Sequence, residues 1–98
     1  MTTDRSFDQD AATGIDLIAA ERQRQINVEG WTPEHDDGHT QGELARAAAV
    51  YAVPDLHDDW WPWDDGWYRP GDPIRELVKA GALIAAEIDR LQRDADRA

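Results

Sequence analysis

Residues 34–40 read EHDDGHT. Six of these seven side chains can bind a cation or move a proton: the carboxylates Glu34, Asp36 and Asp37, the imidazoles His35 and His39, and the Thr40 hydroxyl. Mg²⁺ and Mn²⁺ take oxygen ligands in octahedral geometry, whereas zinc favours imidazole with some carboxylate. His35, Asp36, Asp37 and His39 are therefore candidate metal ligands. Glu21 and Glu43, from the predicted helices on either side, are the further carboxylates that could join them. A plainer reading competes with this one. Asp and Gly are turn formers, and acids ahead of a helix stabilise its dipole. Clustering along the chain makes a site only if the side chains converge in space.

Three predicted helices must do the positioning. The first spans 13–29: Thr13 with Asp16 resembles a capping box, and Ile15, Ile18, Arg22 and Ile26 share a stripe flanked by Leu17 and Ala19. Gly30 stands where a left-handed residue ends a helix. EHDDGHT follows as a loop. The second helix spans 40–53, with Thr40 and Glu43 as an S/T-x-x-E capping box. That role alone accounts for Glu43. The helix N-terminus also offers free N–H groups and partial positive charge to a phosphate. Leu44, Ala47, Ala48, Tyr51 and Ala52 form its apolar face, and Pro54 stops it. The third helix spans 72–92, with Asp72 as N-cap and Pro73 in the first turn. Ile74, Leu77, Val78, Gly81, Ile84, Ala85, Ile88 and Leu91 form its stripe, with Gly81 set to approach the alanine face of the second helix. The charged residues 93–98 should fray, and residues 1–12 read as a disordered tail.

Residues 54–71, PDLHDDWWPWDDGWYRPG, separate the second and third helices and hold four of the five tryptophans. No helical or strand period fits them. An insert this long is often functional or partner-bound. Trp60, Trp61, Trp63 and Trp67 can complete a thin core, form an interface, or stack on a base. Arg69 is the one cation there and a candidate phosphate contact. The fold class is all-α: a three-helix antiparallel bundle with a long Trp/Pro/Asp-rich insert.

The bulk numbers narrow the partners. Ninety-eight residues at 41% hydrophobic content make one small domain with a thin core. A homo-oligomer burying a further face is the expected remedy. A net charge of −11 disfavours direct binding to a nucleic-acid backbone. Cysteine is absent, which fits a reducing cytoplasm. No stretch reaches the roughly 18 apolar residues of a membrane span, and MTTDRSFDQD has no signal-peptide core.

The segments ERQRQINVEGWTPEHDDGHTQGELARAAAVYA, WPW and RPGDPIRELVKAGALIAAEIDRL, within about residues 17–91, resemble a family of small phage and prophage proteins. Similar segments are described as the N-terminal part of dATP/dGTP diphosphohydrolases. The resemblance implies cleavage of a purine deoxynucleoside triphosphate with Mg²⁺ or Mn²⁺, which neutralises phosphates and activates a water. It makes Glu34, His35, Asp36 and Asp37 candidate catalytic residues, with His39 a further ligand, in the cytoplasm of a bacterial host. The MazG-like all-α pyrophosphohydrolases pair Glu-x-x-Glu on one helix with Glu-x-x-Asp on a later one. Here Glu34-x-x-Asp37 has the second spacing in a predicted loop, and no Glu-x-x-Glu occurs. The His35–Asp36 dyad is similar to that of HD phosphohydrolases, whose domains need more helices than this chain has. The alternative to an enzyme is a non-catalytic phage protein that sequesters a nucleotide, or inhibits a host protein, through the Trp-rich insert and acidic surface.

Overall fold

A computed structural model describes residues 12–97, all helix, turn or loop with no strand among them. The tail expected over 1–12 lies outside the described residues apart from Ala12. Among the described residues five α-helices form rather than three. Helix α1 (Gly14–Asn27) opens on the expected capping box: Thr13 Oγ1 accepts from Asp16 N at 3.2 Å, and Asp16 Oδ2 accepts from Thr13 N at 3.0 Å. It ends two residues early. Gly30 then takes φ +76°, and Trp31 N donates back to Gln25 O at 2.9 Å.

The run expected to be loop begins with a one-turn helix, α2 (Pro33–Asp36). Thr32 caps it by accepting from His35 N at 3.2 Å, with Pro33 in the first turn. Helix α3 (Glu43–Ala52) starts later than expected, and the Thr40–Glu43 capping box does not form. The chain instead turns at Gly42, φ +80°, with no side-chain cap. Glu43 Oε1 accepts from Gln41 N at 2.6 Å. Leu44, Ala47, Ala48, Val50 and Tyr51 are buried, while Ala52 is exposed. The insert is partly regular: one-turn helix α4 (His57–Trp60) lies between two 3₁₀ turns, Pro54–Leu56 and Asp65–Trp67.

Helix α5 (Pro73–Arg97) begins where Asp72 Oδ1 accepts from Arg75 N at 2.9 Å. The fraying expected beyond residue 92 is replaced by helix through Arg97. Arg93 and Arg97 both reach the Asp37 carboxylate, and that tertiary contact holds the polar last turns. Helix α5 is the hub: α3 and α1 both pack on it, and they scarcely meet each other. Ile18 meets Gly81 and Glu21 meets Arg75, so α1 runs antiparallel to α5. Gly81 therefore admits Ile18 of α1, not the alanine face of α3. A Cβ at position 81 would lie 2.8 Å from Ile18 Cγ1. The core joins Leu44, Ala47, Ala48 and Tyr51 of α3 to Ala80, Leu83 and Ala86 of α5, with Trp31, Trp61, Trp63 and Tyr68 packed on its edge. The stripe expected inside α5 is a second correction. Of its eight residues only Val78 is buried; Ile74, Leu77, Ile84, Ile88 and Leu91 face solvent.

Candidate functional site

The EHDDGHT side chains part in two directions. Asp36 is wholly buried, and its Oδ2 accepts from Arg22 Nη2 at 2.6 Å. Arg22 Nη1 also donates to Trp31 O at 3.1 Å, so one guanidinium ties α2 to α1. Asp36 Oδ1 has no hydrogen-bond partner; His35 Nδ1 stands 3.6 Å away, beyond hydrogen-bonding reach. Asp37 points to α5, where Arg93 and Arg97 hold its carboxyl below the usual aspartate range. Glu34 is exposed. The two imidazoles turn the other way. His35 and His39 meet edge to face at 5.0 Å, and His39 Nδ1 lies 3.8 Å from Glu43 Oε2. Burial raises the Glu43 carboxyl, but backbone hydrogen bonds and His39 hold it below the usual glutamate range. Among the described residues, no group of three or more His, Cys, Asp or Glu side chains converges as a metal site would.

The histidines border an aromatic groove of about 450 Å³, lined chiefly by Trp31, His35, His39, Trp63 and Trp67. Trp31 lies parallel to His35, with ring planes within 4° and centroids 6.3 Å apart. Trp63 stands 5.2 Å from His39 and 6.1 Å from Trp31. The other predicted tryptophans do different work. Trp61 packs on Tyr51 and Trp63 at the core edge, with Nε1 donating to Asp64 O at 3.1 Å. Trp60 is exposed and lines neither this groove nor the pocket beside it. The insert thus folds back over α3, anchored where Arg69 N donates to the Tyr51 hydroxyl at 2.9 Å.

Trp31 and Trp67 also wall a second pocket, of about 240 Å³. Helix α1 supplies Glu21, Arg24 and Gln25, one face at i, i+3, i+4; α5 supplies Arg75 and Lys79 at i, i+4; the insert supplies Arg69. Glu21 is buried, not splayed toward the 34–40 loop. Its oxygens accept from Arg24 Nε at 2.9 Å, Arg24 Nη2 at 3.0 Å, Gln25 Nε2 at 3.2 Å and Arg75 Nη2. Burial pushes this carboxyl up, but the two guanidiniums outweigh it and hold it below the usual glutamate range. Lys79 Nζ donates to Arg69 O at 2.5 Å. Burial and the neighbouring Arg75 charge lower its ammonium pKa, as expected where cations crowd. Gln25 is 2% exposed, and its Oε1 lacks a partner. A buried acceptor of this kind calls for a donor from water or ligand. Glu76 and Lys79, three residues apart on α5, do not pair: Glu76 accepts from Gly71 N instead.

Sequence reasoning singled out Arg69, Glu21 and the insert tryptophans but missed Trp31, Arg24, Gln25, Arg75 and Lys79. The i, i+4 spacing of Arg75 and Lys79 just inside a helix start was the available signal. No family model matches the chain, and neither a curated protein nor a solved structure matches it.

Proposed function

We propose that the protein binds a nucleotide without cleaving it, with phosphates in the basic pocket and the base in the aromatic groove. One observation carries this reading. On a chain of net charge −11, a single pocket gathers Arg24, Arg69, Arg75 and Lys79 against Glu21 and Glu29, and shares Trp31 and Trp67 with an aromatic groove. Charge-assisted hydrogen bonds to phosphate contribute about 1.5–3 kcal/mol each. A base stacked on an aromatic ring adds roughly 1–3 kcal/mol. The unpartnered Gln25 Oε1 suits a ligand hydroxyl or amine. The resemblance to phage proteins supplies the ligand class, a purine deoxynucleoside triphosphate, and sequestration as the role.

Hydrolysis is the other activity that resemblance implies. Its metal would need the 34–40 carboxylates, yet Asp36 Oδ2 and both Asp37 oxygens are taken by arginines. As arranged, these residues do not fit a metal. The test is a tryptophan-fluorescence titration with dATP in EDTA, followed by chromatography of the nucleotide after incubation with Mn²⁺. Saturable quenching with intact dATP supports sequestration. Release of pyrophosphate, lost in Asp36→Ala, would replace it with the hydrolytic reading.

A further inference from the structure

Helix α5 has two apolar faces; the fold fills one and covers the other only around Gly81, where Ile18 of α1 packs. The face toward α3 is built mainly from small residues: Ala80, Ala82 and Ala86, with Val78 and Leu83. The opposite face carries Ile74, Leu77, Ile84, Ile88 and Leu91, exposed by 69, 56, 50, 51 and 50%. A helix that buries three alanines and leaves five Ile and Leu side chains at least half exposed reverses the usual partition. Position by position, 74, 77, 81, 84, 88 and 91 alternate steps of three and four. That is the 3.5-residue period of a helix seam that meets another helix, not the 3.6 period of a helix lying on a globular core. The one small residue in the row, Gly81, is filled by Ile18 of α1, so the seam is unbroken. Since α1 runs antiparallel, Ile15 falls toward Ile84, and it is 80% exposed.

We infer that a second copy of this chain covers this face, with α5 and α1 of the two copies packing across a two-fold axis. The exposed surface of Ile15, Ile74, Leu77, Ile84, Ile88 and Leu91 together is on the order of 600–700 Å². That exceeds the patch of an ordinary monomer and approaches the roughly 800 Å² per partner of a standard interface. A two-fold needs only a self-complementary patch, which a straight apolar row supplies. An anionic membrane is disfavoured as occupant, because the chain carries a net charge of −11. The same charge makes two copies repel each other, so association tightens as salt screens it. Docking on a basic partner would weaken with salt instead.

Sedimentation equilibrium of the full chain tests this. The expected particle has twice the 11.1 kDa chain mass and a dissociation constant that falls as NaCl rises. Ile84→Glu and Ile88→Glu each weaken association at least 100-fold, with helical circular dichroism retained because both positions are half-exposed in one copy. Asp89→Asn, exposed on α5 outside the row, does not weaken association. Should a glutamate variant lose its helicity, Ile84→Ala with Ile88→Ala replaces it and weakens association at least tenfold. A monomer at about 100 µM, a dimer indifferent to both glutamates, or flotation of the chain with phosphatidylglycerol vesicles overturns the inference. Nucleotide binding is expected to persist in the monomeric variants, since neither pocket includes a seam residue.

Discussion

Arg22→Met separates a structural Asp36 from a chemical one. The Arg22–Asp36 pair is 2.6 Å long, with side chains 12% and 1% exposed. Removing the guanidinium leaves a carboxylate fully desolvated, with Oδ1 already unpartnered. Breaking one partner of a buried pair costs about 3–5 kcal/mol. In a domain of this size each kcal/mol lowers Tm by ~4–8 °C, so a fall of roughly 12–40 °C is expected. Replacing both partners, Arg22→Met with Asp36→Leu, removes the stranded charge and fills the space. Its expected cost is ~0–1 kcal/mol, well below the single variant, because apolar isosteres of buried pairs are often neutral or better. Urea denaturation of wild type, the two single variants and the double gives the coupling energy directly. A single-variant cost under about 1 kcal/mol, or a double variant as unstable as the sum of the singles, would refute the clamp.

Three further outcomes follow. Glu21→Gln removes the carboxylate that neutralises Arg24 and Arg75, so affinity for inorganic pyrophosphate should rise on the order of tenfold by calorimetry, while the fold loses some stability. Gly81→Ala gains about 1 kcal/mol of helix propensity but meets the stiff β-branched Ile18, an overpacking cost of ~1–3 kcal/mol. It should destabilise in urea melts, and Ile18→Ala should relieve part of the loss in a double-mutant cycle. The Glu21 and Asp37 carboxyls titrate below their unfolded values, so their stabilisation is fully present above about pH 5 and disappears as pH falls through their folded pKa values. Thermal melts should be flat from pH 7 to about 5 and drop below about 4, and Glu21→Gln should shallow that drop.

What could be read from the sequence was local. Thr13, Asp72–Pro73 and Pro54 mark helix ends through side chains that act within four residues, and each acts as expected. The same local signal stands at Thr32–Pro33, which starts α2 inside a run otherwise made of ligand-type side chains. Features set by distant contacts were not legible. The last turns of α5 depend on Asp37, 56 residues from Arg93. The residues that α1 buries fully are Glu21 and Gln25, while Ile18 and Ile26 of its isoleucine stripe are only partly covered, because Arg75 of α5 arrives to satisfy the carboxylate. The basic pocket needs three segments to meet, and no one of them looks basic alone. The seam on α5 was visible as apolar residues, but its outward direction came only with the fold.

The central claim is that the two joined pockets hold one nucleotide. Isothermal titration of the metal-free chain with dATP, beside Lys79→Ala, tests it most directly. One dATP per chain is predicted, with affinity at least tenfold weaker in Lys79→Ala. No saturable heat with dATP, or equal affinity in the variant, would contradict it.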